Sequence, residues 1–269
     1  MILVTGANGH LGAATLAALH RAGVPAEGGS RTPGAGVRHL DFDNPGTLDL
    51  RGVSTLLLVS AGYAEDDTVI ARHAAVVAAA VRDGVGHLVY TSLTTAGDHL
   101  AFAAAHRATE RVVRDSGLPW TILRNGLYAE LFGSLLSWTA DGLESPFGDG
   151  ALAAVARADF AEAAAIVVAD PSPHAGLVLD LVGSPITAPQ VAAALGVPHR
   201  TVDLATFRDR TLATPGLFPF QPPMIASIAT GVRHGFLATP DPTLEKLLGR
   251  PLTDPLAVAA AAASAARPE

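Results

Sequence analysis

Cysteine is absent from the 269 residues, which removes disulfides, thiolate metal sites and a cysteine nucleophile together. Lysine is almost absent. Lys246 is the single one, and every other basic residue apart from histidine is arginine, so chemistry that needs a lysine beside the reacting group rests on that one position. Apolar runs of membrane-spanning length are lacking too. The most apolar stretches carry polar breaks and the N-terminus enters a strand-like segment without a basic lead, so neither a signal peptide nor a membrane span is expected and the protein reads as cytoplasmic. Positive charge is also in deficit. The net charge is -7 with the acids scattered, which argues against a nucleic-acid partner and for a small-molecule ligand.

What is present is enough apolar sequence for a full core, 49% of the chain, arranged in alternating periods. An apolar run at 2–5 precedes helical spacing over 11–22, with Leu11, Leu16 and Leu19 on one side. Strands follow at 37–41 and 56–60, a helix at about 67–83, a strand at 86–92, a helix at about 99–116 and a strand at 119–126. Strand alternating with helix predicts βαβ units, hence an α/β, Rossmann-like, doubly wound parallel sheet. The second strand, "VPAEGGSR", is weak because of its glycines, and only its place in the alternation marks it. Past residue 126 the spacing predicts a helix at 127–140, a turn-rich "GLESPFGDG", a strand at 152–156, an alanine-rich helix at 159–170 and a strand at 177–181. The organisation is therefore a dinucleotide-binding part, 1–126, and a mixed part, 127–269, which partly returns to the sheet and partly forms a smaller substrate-binding cap. The proline-rich 214–223 reads as a lid loop or an ordered connection. The tail "AVAAAAASAARPE" reads as a helix end with no assignable role.

The opening "MILVTGANGHLG" passes from strand through Gly6, Gly9 and Gly12 into a helix. A helix N-terminus offers unpaired N–H groups and a partial positive charge, and glycines let a pyrophosphate approach them. The spacing G-x-x-G-x-x-G is one residue longer than the usual dinucleotide fingerprint, and no Lys-Ser or Lys-Thr follows, so a P-loop is excluded. At the end of the second strand an acidic residue would favour NAD and an arginine NADP. Glu27 lies near the expected distance, but Arg31 sits where the strand should end, and a guanidinium suits a 2′-phosphate. NADPH over NADH is the preferred reading; the alternative for Arg31 is a solvated surface charge. Asp41 and Phe42, ending the third strand, are placed to meet the adenine.

The segments "TGANGHLG", "LLLVSA", "VYTSL", "HRATERVVRDSGLPWTILRNGLYAE" and "ARADFAEAAA" together resemble the NmrA-like, atypical branch of the short-chain dehydrogenase/reductases, and within it the type 2 NAD(P)H:quinone oxidoreductases, with the triphenylmethane reductases nearby. The resemblance implies that Gly6, Asn8, Gly9, His10, Leu11 and Gly12 cradle the pyrophosphate, that Arg31 meets the adenosine phosphate, and that Ser60, Ala61, Thr91 and Ser92 line the nicotinamide side.

Ordinary members of that superfamily use a tyrosine acid with a lysine four residues later. None of Tyr63, Tyr90 and Tyr128 has one. In the matching helix "HRATE" puts His106 in the tyrosine's place with Glu110 one turn on, so His106 is a candidate proton donor near neutral pH and Glu110 its orienting partner. The alternative is that His106 is a partly buried polar residue and Glu110 an ion-pair partner of Arg107 or Arg114. Candidate substrate contacts at the carboxyl ends of the strands are Leu93, Phe102, Asn125, Leu127 and Tyr128; Tyr128 is the best placed to stack and is counted with His106 and Glu110 among the catalytic candidates, the alternative being an aromatic anchor between sheet and cap. Arg157 and Asp159 read as an ion pair or cap at a helix start. The remaining histidines show no metal-ligand spacing, and no metal is expected.

Losing the Tyr–Lys pair fits a particular acceptor. Reducing a ketone makes an alkoxide, whose conjugate acid is near 16, and a positioned acid then matters. A quinone gives a phenolate, near 10, so holding the acceptor against the nicotinamide can suffice. The leading reading is an NADPH-dependent reductase of a quinone or a similar planar conjugated acceptor. Two others stay open: a specialised biosynthetic enzyme reducing an enone or imine or catalysing a non-redox step, and an NADP-binding redox sensor without turnover.

Overall fold

The computed structural model describes residues 1–34, 36–61 and 63–267. In chain order it begins β1 (Ile2–Thr5), α1 (His10–Arg21), β2 (Ala26–Ser30), β3 (Val37–His39), β4 (Thr55–Leu58), α2 (Asp66–Asp83), β5 (His87–Leu93), α3 (Ala103–Arg114) and β6 (Trp120–Asn125). There follow α4 (Ala129–Ser134), β7 (Ser137–Thr139), β8 (Gly142–Ser145), β9 (Ala151–Ala154), α5 (Arg157–Ala169), β10 (Val178–Leu181) and β11 (Ser184–Thr187). The last elements are α6 (Ala188–Ala194), β12 (His199–Thr201), α7 (Leu204–Leu212), α8 (Gln221–Arg233), α9 (Thr243–Leu248) and α10 (Pro255–Ala265). Among the described residues no helix is long and apolar enough to cross a membrane.

Two compact units share these elements. The first comprises Met1–Leu93, Ala104–Asn125 and Ala158–Asp180. The second comprises Thr94–Ala103, Gly126–Arg157 and the chain from Leu181 on. The chain thus crosses between units several times: α5 and most of β10 return to the first unit, while residues 94–103 join the second.

The first unit is a seven-stranded sheet in the order β10-β6-β5-β4-β1-β2-β3. β1 through β6 pair in parallel. Helices cover inner strands of such a sheet on both faces, so those strands read as unbroken apolar runs, and all four residues of β1 and of β4 are buried. The strand order reverses between β1 and β4, the position where open α/β sheets bind ligands. β2, the weakest expectation, is formed, and its glycines have a packing reason. A Cβ at Gly28 would lie 2.7 Å from the Ala7 Cβ, and one at Gly29 2.5 Å from Leu40 Cδ1. Glycine here is what lets the turn after β1 and the residue after β3 close onto the strand.

The second unit differs from the expected elements in three places. The helix expected at 127–140 is the six-residue α4 followed by the β7–β8 hairpin, in which Trp138 pairs with Leu143. The turn between the two strands is Ala140-Asp141, with Thr139 paired to Gly142, and Gly142 has φ +129°, a conformation that favours glycine and breaks the helical spacing before it. The proline-rich run divides between a turn and the start of α8, where Pro222 and Pro223 occupy the first turn; N–H groups there have no intrahelical partner, so proline loses nothing. The alanine-rich tail has a role. It forms α10, which packs against α4 and α6, with Ala259 and Ala263 fully buried and Trp138 Nε1 donating to the Ala263 carbonyl at 2.8 Å. The tail's last two residues lie outside the described residues.

Candidate active site

The glycine turn after β1 brings the start of α1 close to the strand end. Gly6 has φ +65°, and the N–H of Gly9 donates back to the Gly6 carbonyl at 2.8 Å. Gly9 caps α1 with no side-chain hydrogen bond, so the first-turn amides at His10, Leu11 and Gly12 meet no capping side chain. A Cβ on Gly12 would lie 2.7 Å from the Gly6 carbonyl carbon and 2.9 Å from the Thr5 oxygen, so only glycine lets the helix sit this close to the turn. The Asn8 side chain, also expected at the pyrophosphate, donates from Nδ2 to Ser30 Oγ at 2.9 Å, tying the turn to the end of β2.

Arg31 follows directly. It is exposed, and among the described residues no carboxylate lies within ion-pair distance of it. Glu27, the competing signal for NAD, lies inside β2 and is paired with Arg38 at 2.9 Å. The strand end therefore presents a guanidinium, flanked by Ser30 and Thr32, rather than a carboxylate. Asp41 is half-buried, and its Oδ1 accepts the Asp43 amide at 3.1 Å; Phe42 packs partly against the core. Sequence reasoning missed the next residue. Asp43 is held by Arg72 of α2 through bonds of 2.6 and 2.8 Å, and no local pattern announces a pair so far apart in the chain.

At the carboxyl ends of β4 and β5 the four residues expected on the nicotinamide side separate. Ser60 N–H donates to Thr91 Oγ1 at 3.0 Å and Ala61 N–H to His73 Nε2 at 2.9 Å. Ser92 points to the other face of the sheet, where its hydroxyl donates to Glu110 Oε1 at 2.7 Å. Consecutive strand residues face opposite ways, so Thr91 and Ser92 cannot share one side.

The expected acid and its helper are also reassigned in detail. His106 is half-buried, with Nδ1 3.0 Å from the Tyr90 hydroxyl. Burial, reinforced by the charge of Arg107, lowers its pKa to about 4, which favours the neutral imidazole at pH 7. Burial raises the Tyr90 hydroxyl well above its ordinary value, so tyrosine stays protonated beside it. Glu110 does not orient His106. It is 1% exposed and accepts from Arg107 at 2.8 Å, from Arg124 at 2.9 and 2.7 Å, and from Arg114 at 3.2 Å, besides Ser92. Burial pushes its carboxyl up, but the hydrogen bonds from Arg124 and Ser92 and the guanidinium charges more than reverse this and leave it below the usual carboxylate range.

Of the expected substrate contacts, Leu93 and Asn125 are partners in register on β5 and β6. Asn125 Oδ1 is buried with no hydrogen-bond partner, an acceptor that a ligand's N–H or O–H would satisfy. Phe102, Leu127 and Tyr128 belong to the second unit. There Tyr128 precedes α4 with the Arg157 guanidinium 5.1 Å from its ring centre, and burial pushes its hydroxyl up to about 12. The carboxylate paired with Arg157 is Glu130, at 3.8 Å, in place of the expected Asp159.

A parallel sheet reversing at β1/β4, with a glycine turn and an uncapped helix at that reversal, defines a Rossmann-type nucleotide-binding protein. Residues 1–200 match the NmrA-like family, and the chain belongs to it. It is 35% identical to quinone oxidoreductase 2 of Escherichia coli K12, over 94% of this chain and 95% of that one. The NADPH complex of the E. coli protein superposes with a TM-score of 0.84 at 32% identity, covering 97% and 99% of the two chains. The NADP(H) complex of Citrobacter sp. triphenylmethane reductase gives 0.84 at 27% identity, covering 99% and 100%. The (4-alkanoyl-5-oxo-2,5-dihydrofuran-3-yl)methyl phosphate reductase of Streptomyces griseus is 33% identical over 93% of this chain and 94% of its own. With these relatives the chain stands among the oxidoreductases of the fold.

Proposed function

We propose that the protein is an NADPH-dependent reductase that passes a hydride directly to a planar conjugated acceptor of the quinone kind. The residues fit the dinucleotide. The uncapped α1 terminus and the close Gly6–Gly12 approach suit a pyrophosphate, and Arg31 suits a 2′-phosphate where Glu27 is already paired. NADPH, when bound, supplies the hydride. The relatives whose names carry NADPH or NADP(H) support this choice of cofactor.

The observation that carries the acceptor class is the setting of His106, whose Nδ1 lies 3.0 Å from the Tyr90 hydroxyl. It stands where a tyrosine acid would stand, burial favours its neutral form, and the chain's one lysine, Lys246, lies on α9 of the second unit. A site whose tyrosine beside His106 is made a weaker acid by burial and has no lysine four residues on suits an acceptor whose reduced form is a stable anion, a phenolate near 10 rather than an alkoxide near 16. The protein's part is then to position and to exclude water.

The test is titration of the purified protein with NADPH and NADH, followed by a panel of quinones, an unsaturated lactone and a simple ketone while the reduced-nicotinamide absorbance is read. Oxidation by quinones but not by the ketone is the expected result. Tight NADPH binding with no oxidation by any acceptor would sink the reductase reading.

A further inference from the structure

Where β4 ends, three successive amides are each taken by a side chain from a different element. Val59 N–H donates to Thr5 Oγ1 of β1 at 2.9 Å, Ser60 N–H to Thr91 Oγ1 of β5 at 3.0 Å, and Ala61 N–H to His73 Nε2 of α2 at 2.9 Å. The paired register of β4 stops at Leu57 against β1 and at Leu58 against β5. Side chains therefore replace backbone carbonyls as partners where the strands diverge, at the reversal of strand order.

His73 is the least expected of the three. It is wholly buried. Because Nε2 accepts from Ala61, Nδ1 carries the ring proton and donates to Thr109 Oγ1 at 2.8 Å, and that hydroxyl passes its own proton to the Ala105 carbonyl at 2.9 Å. Tyr90 packs edge-on to the ring, centroids 5.5 Å apart at 66°. Tautomer and ring plane are both fixed.

The consequence is a division of polarity across the cleft. The start of α1 offers backbone N–H groups, which suit phosphate. Residues 59–61 have their N–H groups engaged, so their backbone can offer a ligand only carbonyl oxygens, which suit hydroxyl and amide donors and repel phosphate. We propose that His73, together with Thr5 and Thr91, is a positioning residue that makes the backbone of the β4 edge acceptor-only toward the nicotinamide-riboside half of the dinucleotide. This rests on the reading of the site as a nicotinamide-dinucleotide site, but not on any acceptor.

The experiment compares two ligands on His73→Leu and His73→Gln. NADPH spans both halves of the cleft; 2′-phosphoadenosine 5′-diphosphate carries the phosphates but neither the second ribose nor the nicotinamide. Leaving the Ala61 amide without a partner is expected to weaken NADPH about tenfold, with the truncated nucleotide changed by less than about twofold. Glutamine, which can accept and donate at once, is expected to restore most of the loss. Equal weakening of both ligands, no weakening, or a glutamine variant as weak as the leucine one would overturn the proposal, since a merely structural role moves both ligands together. If His73→Leu does not fold, Thr91→Val gives the same comparison with the same meanings. Absence of quinone turnover in a wild type that binds NADPH would remove the reductase reading and leave this inference standing, whereas failure of the wild type to bind NADPH would remove both.

Discussion

Replacing Glu110 by glutamine separates a structural carboxylate from a catalytic one. The side chain keeps its shape and one carbonyl oxygen, but loses its charge and turns an NH2 group toward guanidiniums. Arg124 contributes two bonds at 2.9 and 2.7 Å and Arg107 one at 2.8 Å, all from side chains less than a fifth exposed. Arg114, 38% exposed at 3.2 Å, counts for little. Charge-assisted bonds contribute roughly 1.5–3 kcal/mol each, and breaking a buried ion pair costs roughly 3–5 kcal/mol. The expected loss is about 3 kcal/mol at pH 7, read by urea unfolding of the protein without ligand. Because the folded carboxyl titrates below its ordinary value, its contribution is fully present above about 4.3, the unfolded value, and fades as pH falls through the lower folded one. The gap between wild type and variant should thus be constant from pH 5 to 8 and close only below about pH 4. Turnover of the folded variant should stay within about threefold, because Glu110 touches no reacting atom in this account. A stability loss under about 1 kcal/mol, or turnover cut about 100-fold at unchanged stability, would refute the reasoning and return Glu110 to the catalytic set.

Other consequences can be read in the same preparations. Arg31→Ser should raise the Kd of NADPH about 10- to 100-fold and leave NADH within about twofold; equal effects on the two would mean that Arg31 is only a surface charge. Gly12→Ala must push α1 away from the turn, and both melting temperature and NADPH affinity should fall; an alanine variant that binds NADPH normally would contradict the close-approach argument. Burial lowers His73 to about 3 and His106 to about 4, so between those values and about 6.5 the unfolded chain binds protons that the native state refuses. Stability should therefore drop as pH falls below about 6.5, by about 1.4 kcal/mol per pH unit for each histidine. His73→Gln should make that slope shallower by one histidine's share, and an unchanged slope in urea titrations at pH 7, 6 and 5 would refute the assignment.

The sheet was legible in the sequence because its signals are local. A run such as "ILVT" followed by glycines and helical spacing needs no knowledge of the rest of the chain, and even β2, poor in propensity, was placed by the alternation around it. The second unit was less legible where two local signals compete, as at 127–145, where apolar helical spacing runs into Ala140-Asp141 and Gly142 and the turn prevails. In the candidate site, the turn at Gly6, Gly9 and Gly12 and the place of Arg31 at the end of β2 could be read from spacing. The partners of buried polar groups could not. His73 meets Ala61 across 12 residues and Thr109 across 36, and in the sequence it is one histidine among ten.

Successive residues of a strand face opposite sides of the sheet. Register pairs Tyr90 with Ile122 and Ser92 with Arg124 on one face of the sheet, and Thr91 with Leu123 and Leu93 with Asn125 on the other. The first face meets α3, where Ser92, Arg107, Glu110 and Arg124 form one buried cluster and Tyr90 takes His106. The helix that carries the Tyr–Lys pair in ordinary short-chain dehydrogenases thus spends its polar residues here on being fastened to the sheet. Placing Tyr at 106 and Lys at 110 would remove the carboxylate that neutralises Arg107 and Arg124 and set a third cation between them. The ketone-reducing pair cannot be restored without dismantling what now holds α3 in place, so the absence of that pair is tied to packing as well as to chemistry.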